Sequence, residues 1–149
     1  MTPEAQFAAF LTKYTPEIRE LAEAALEKMR TRLPGAIELV YDNYNALVVG
    51  FAPSERASDA IFSIALYPRW VTLFFLNGKG LPDPKKLLLG NGTRVRHIVL
   101  EKATTLDQPA VQSLMQAALR RSAKPLASNG RRQLIIKSVS AKQRPRRPN

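Results

Sequence analysis

The order of elements along these 149 residues predicts an α+β domain, with helices packed on one face of a mostly antiparallel sheet of about five strands. Three observations carry that prediction. Two amphipathic helical stretches with the same start signal open the chain. Short segments rich in branched and aromatic residues, divided by turn formers, then fill residues 36–100, and one more amphipathic stretch follows. The length suits one domain with its own core and is short for two.

Thr2-Pro3-Glu4 and Thr15-Pro16-Glu17 each combine a capping hydroxyl, a proline preset for the first helical position and an acid facing the positive end of the helix dipole. Phe7, Phe10, Leu11 and Tyr14 make the apolar stripe of the first helix. In the second, Ile18, Leu21, Ala22, Ala25, Leu26, Met29 and Leu33 recur at helical spacing, and Pro34-Gly35 ends it. Its acids (Glu17, Glu20, Glu23, Glu27) come first and its bases (Lys28, Arg30, Arg32) last.

The strands are expected at Ile37–Tyr41, Ala46–Phe51, Ile61–Tyr67, Trp70–Leu76 and Arg94–Leu100. Asp42-Asn43-Tyr44-Asn45 reads as the first hairpin turn, and Pro68-Arg69 as a very tight link between two apolar strands. The loop from Asn77 to Thr93 holds Gly78, Gly80, Gly90 and Gly92, with a helical turn expected over Pro84 to Leu89. In the last helix Asp107 is the expected cap, Pro109 sits in the first turn, and Val111, Leu114, Met115, Ala118 and Leu119 form one stripe. Ile61–Tyr67 is apolar on both sides, so the second sheet face is expected to be covered by the long loop, the C-terminal segment or a second copy of the chain, or to line a shallow pocket.

At the loop and fifth strand the chain carries Leu73-Phe74-Phe75, Leu81-Pro82-Asp83-Pro84, Leu88, Gly90, Gly92 and Arg96-His97. Before them come a Phe-Leu-Thr-Lys-Tyr-Thr-Pro-Glu-Ile-Arg helix start, Leu33-Pro34-Gly35-Ala36, Tyr41 and Leu66-Tyr67-Pro68. With these motifs the sequence resembles the YdhG-like family of domains of unknown function, over roughly residues 6–119. The resemblance implies a small α+β fold and leaves activity open. Some members are called frataxin-like iron chaperones, but no iron-ligand motif matches here residue by residue.

Charge is the loudest compositional feature. The formal net charge is +11, yet residues 1–119 hold 13 basic and 12 acidic side chains, while residues 120–149 hold ten bases and no acid. The organisation expected is therefore a YdhG-like domain over residues 1–122 and a basic extension over 123–149, with a docked strand at 133–139 and a loose end over 141–149. Cysteine is absent, which suits a reducing cytoplasm; no stretch approaches the roughly 20 apolar residues of a membrane span, and the first residues do not read as a signal peptide.

Chemistry-bearing residues are few. Glu20, Glu23 and Glu27 share a helix stripe without a histidine, a solvated face before it is an iron site. His97, the only histidine, shares a strand face with Val95 and Val99, with Arg94 and Arg96 pointing the other way, and no nucleophile can be placed beside it. The glycine-rich loop lacks the spacing of a phosphate cradle. No catalysis and no cofactor are expected. The expectation is a cytoplasmic binding or accessory module for a small or anionic ligand or a protein partner, with Tyr67, Trp70, Lys79, Arg96 and His97 lining any pocket. The alternatives are a weak iron-binding role and unspecific nucleic-acid contact through Arg131, Arg132, Lys142, Arg144, Arg146 and Arg147.

Overall fold

The computed structural model describes residues 1–127 and 131–148. Helices α1 (Pro3–Leu11) and α2 (Pro16–Arg32) start as their sequences dictate. The Thr2 hydroxyl accepts from the Ala5 amide at 3.1 Å, and the Thr15 hydroxyl from the Ile18 amide at 3.4 Å. Helix α1 stops at Leu11, short of its stripe, and Tyr14 beyond it is fully buried. Helix α3 (Pro109–Arg121) follows Gln108 and has no side-chain cap, so the expected capping role of Asp107 is not the observed one. The Asp107 carboxylate is drawn to Lys28 at 2.8 Å and to Arg32, which hold its pKa below the usual range and tie α2 to the turn before α3.

Strands β1 (Ile37–Asp42), β2 (Leu47–Ala52), β3 (Phe62–Leu66), β4 (Val71–Phe75) and β5 (Arg96–Leu100) each run antiparallel to the next. Strand β6 (Gln133–Val139) lies parallel to β1, giving the order β5-β4-β3-β2-β1-β6. The sheet thus has six strands rather than five. The register slips between Val40 and Tyr41, where β6 carries one extra residue, Lys137.

Register decides which face each residue serves. Val40, Val49, Ile64, Leu73 and Ile98 align across one face, with Phe51, Phe62 and Phe75 beside them, and there the helix stripes meet them in a single core. The loop between β4 and β5 turns toward this side too, placing Leu81 in the core and packing Leu87 and Leu88 against it. Its expected helical turn is instead a turn closed by Asp83, whose carboxylate accepts the amides of Leu87 (2.9 Å) and Leu88 (2.8 Å). Gly80 and Gly90, at φ 82° and 113°, supply the left-handed positions at the loop's ends.

The opposite face carries Gly50, Ser63, Ala65 and Thr72, small residues flanked by the half-buried Tyr41, Val48, Phe74 and His97. That is why β3 reads as apolar on both sides without a second layer of helices. Neither the long loop nor β6 covers this face, since the loop packs on the helix side and β6 extends an edge. Trp70 and Val99 stay 48% and 39% exposed.

Two acids of β1 face the helix side. Glu38 accepts three hydrogen bonds from Arg30 at 2.9–3.1 Å and one from Arg132 at 3.0 Å. Asp42 pairs with Arg146 at 2.8 Å and Lys13 at 3.5 Å. Both carboxylates are 1% exposed.

Tyr14 joins the helices to the sheet: its phenol donates to the Leu66 carbonyl at 3.0 Å and accepts from the Leu47 amide at 3.1 Å. Tyr14→Phe leaves both backbone groups without that partner and is expected to cost about 1–3 kcal/mol in urea unfolding. Burial also pushes this phenol up to about 12. An unfolded tyrosine ionises near 10, so the stabilisation is complete below pH 10 and declines as pH rises through the native value. Tyr14→Phe should flatten that alkaline decline, leaving the part due to Tyr41 and Tyr67, whose pKa values burial also raises. An unchanged slope would mean that Tyr14 ionises alike in both states.

Candidate functional site

The turn between β3 and β4 is only Pro68-Arg69. Pro68 fixes its own φ, the Tyr67 amide donates to the Trp70 carbonyl at 2.9 Å, and the two side chains that flank the turn fall on the same sheet face. The Tyr67 and Trp70 rings accordingly lie 5.7 Å apart, tilted by 37°. Tyr67 is half-buried and backs the indole, while Arg69 at the tip is exposed.

The chain after β6 brings its cations to the same end of the sheet. The Ser140 amide donates to the Asp42 carbonyl at 2.8 Å and the Arg144 amide to the Tyr44 carbonyl at 2.9 Å, continuing along the β1 edge. Arg146 then turns inward. Its guanidinium donates to Asp42 Oδ1 at 2.8 Å and to the Asn43 carbonyl at 2.5 Å, and lies 5.9 Å from the Tyr14 ring centroid. Arg147 donates to the carbonyls of Lys13 (3.1 Å) and Thr12 (3.3 Å), which the end of α1 leaves without helical donors. The expectation of a loose basic end is thereby corrected: Arg146 is 5% exposed and the segment is a strap.

Hairpin and strap enclose a cleft of about 630 Å³ lined by Asn45, Tyr67, Pro68, Arg69, Trp70, Arg144, Pro145, Arg147 and Pro148. Three arginines and two aromatic rings line it, and among the described residues no acid does. Arg69 and Arg144 make no side-chain hydrogen bond among the described residues, so their charges face solvent unspent. Arg147 is committed to α1 yet still adds positive potential. Such a site attracts anions and offers a flat apolar surface beside them.

Of the five residues expected to share a pocket, only Tyr67 and Trp70 do. His97 lies on the same sheet face but beside Phe74, at 5.6 Å between centroids, and its backbone pairs with Leu89. Arg96 points to the other face, its guanidinium held by the carbonyls of Gly92 (2.7 Å) and Val95 (2.8 Å). Lys79 is exposed in the β4–β5 loop, where its carbonyl accepts from Arg121. Arg69, Asn45 and the strap residues escaped sequence reasoning as partners of Tyr67. The tight Pro68-Arg69 link was a visible signal for the ring pair, but nothing in the sequence places residue 144 beside residue 69.

Half of the six cations expected to touch nucleic acid are occupied. Arg132 serves Glu38, Arg146 serves Asp42 and Arg147 serves α1, while Arg131, Lys142 and Arg144 are exposed without side-chain hydrogen bonds among the described residues. A second hollow of about 200 Å³ lies between the turn before β3 and the end of α3. Of its cations, Arg121 is engaged by two carbonyls and Lys124 by Asp59 at 3.0 Å, while Arg94 is exposed without a side-chain hydrogen bond among the described residues, and the Asp59 carboxylate shares the wall. On α2, Glu23 lies 3.7 Å from Arg19, and among the described residues no three His, Asp or Glu side chains are grouped to hold a metal ion. No described helix is long and apolar enough to cross a membrane. Comparison of the chain with family models, curated proteins and solved structures finds no match in any of the three.

Removing the strap's anchor tests this geometry. Arg146→Met leaves the Asp42 carboxylate with Lys13 alone and is expected to cost about 3 kcal/mol in urea unfolding. Trypsin should then cut faster after Lys142, the strap's cleavable bond next to Gln143. Unaltered cleavage there would mean that something other than Arg146 holds the strap.

Proposed function

We propose that this chain is a small, non-catalytic binding module of the YdhG-like type, working in the cytoplasm, whose ligand is an anion held between the β3–β4 turn and the C-terminal strap. One observation carries the reading: Arg69, Arg144 and Arg147 converge on one cleft beside the Tyr67–Trp70 ring pair, and no carboxylate among the described residues lines it. Cations placed together at a fold's surface repel one another, and a bound anion relieves that repulsion. Arg147 is fixed by the α1 carbonyls and the strap by Arg146, so part of the positive charge is preorganised. The YdhG-like assignment is supported by the motifs named above, and a reducing compartment by the absence of cysteine.

Tripolyphosphate is a suitable probe because it offers charge and no ring. At a hundredfold excess over Kd it should add about 2.7 kcal/mol of stability, seen as a Tm rise of roughly 5–10 °C. The double variant Arg69→Ser, Arg144→Ser should lose most of that rise. Equal stabilisation of wild type and variant would place the anion elsewhere and refute the reading.

A further inference from the structure

An isolated phosphate would leave most of the cleft empty. About 630 Å³ lined by two rings, an asparagine and three arginines has room for a planar group as well as a charge. The indole of Trp70 supplies the surface. It is 48% exposed, and Tyr67 lies 5.7 Å away at a tilt of 37°, a half-buried neighbour that steadies the ring. The arginines nearest it with free guanidinium groups are Arg69, immediately before it in the chain, and Arg144 across the cleft. Asn45 on the same wall carries an amide that can both donate and accept toward the edge of a planar ligand. Glu17 lines an adjoining hollow, which shares Pro68, Arg69 and Pro148 with the cleft, and not the cleft itself.

We propose that the cleft takes a nucleotide unit, its base laid on the exposed face of Trp70 and its phosphate held by Arg69 and Arg144. This deepens the anion-binding reading and rests on it. Stacking on a single indole tolerates every base, because every base has a π-face. Two unpaired arginines read phosphate without reading sequence. The expected ligand is therefore unspecific in base identity, whether it is a free nucleotide or one link of a single strand. A duplex hides the base faces that Trp70 would use.

Trp70 is the only tryptophan, so its emission reports the site directly. The intact chain is titrated with tripolyphosphate, with uridine triphosphate and with a short single-stranded oligothymidylate. The two nucleotide ligands should quench Trp70, and uridine triphosphate should bind roughly tenfold or more tighter than tripolyphosphate. Followed by anisotropy of a labelled strand, Trp70→Leu should weaken binding about tenfold and Trp70→Phe should restore most of it, with tripolyphosphate stabilisation unchanged in both. Arg69→Ser with Arg144→Ser should weaken all three ligands and reduce the salt slope of strand binding by about 2.

The arms separate the sources of the nucleotide. Tighter, salt-sensitive binding of the strand assigns the unit to a polymer, and equal binding assigns it to a free nucleotide. Tripolyphosphate binding as tightly as uridine triphosphate, with Trp70 emission unmoved, overturns the nucleotide and leaves the anion site standing. Failure of tripolyphosphate to bind overturns the anion reading as well. A blue shift on vesicles of anionic phospholipid, without quenching by either nucleotide ligand, would assign Trp70 to a lipid surface and refute the proposal.

Discussion

Two carboxylates on the inner face of one strand govern how this chain closes. Glu38 and Asp42 lie four residues apart on β1, both on the helix side and both 1% exposed. An ionised carboxylate in such a place is costly unless it is paired and hydrogen-bonded. Arg30 reaches Glu38 from α2 and Lys13 reaches Asp42 from the α1–α2 turn, but neither acid relies on those alone. The further partners are Arg132 and Arg146, and the strand between these two residues is β6. The C-terminal segment is thus held at both ends by charge and along its middle by main-chain pairing with β1.

The high net charge looks different in that light. Of the ten cations beyond residue 119, Arg121, Lys124, Arg132, Lys137, Arg146 and Arg147 bond to carbonyls or carboxylates of the rest of the molecule. The acids and helix ends of the body and the bases of the tail are two halves of one arrangement. Arg120, Arg131, Lys142 and Arg144 remain without side-chain hydrogen bonds among the described residues, and Arg144 is the one that meets Arg69 and the ring pair. A site assembled from a tight hairpin and a distant strap follows from the same closure.

Much of the fold was legible because its causes are local. Threonine-proline-acid starts, a helical stripe and a two-residue turn act within a few residues, so Thr2, Thr15 and Pro68-Arg69 announce what they do. Strand parity was legible too, and it already set Arg96 and His97 on opposite faces. Other features depend on partners far along the chain. Asp107 has the look of a cap, yet Lys28 and Arg32 are stronger partners than a helix amide, and no spacing rule foretells them. A run of arginines gives its total charge but not the carboxylates it will meet, so nothing in it distinguishes a strap from a loose end. The parallel pairing of β6 with β1 has no turn to signal it, since the connection runs through α3 and the residues after it.

The pairing of β6 with β1 also has a biosynthetic side. Strand β1 is made about 100 residues before Arg146, an interval of roughly 5–20 s on the ribosome. During that time its β6-facing edge stands open. An inward-pointing charge on an edge strand deters another chain from pairing there, because pairing would bury the charge without a partner. By that rule Glu38 and Asp42, met until then by Arg30 and Lys13 alone, disfavour a neighbour that brings no cation, and β6 arrives flanked by Arg132 and Arg146.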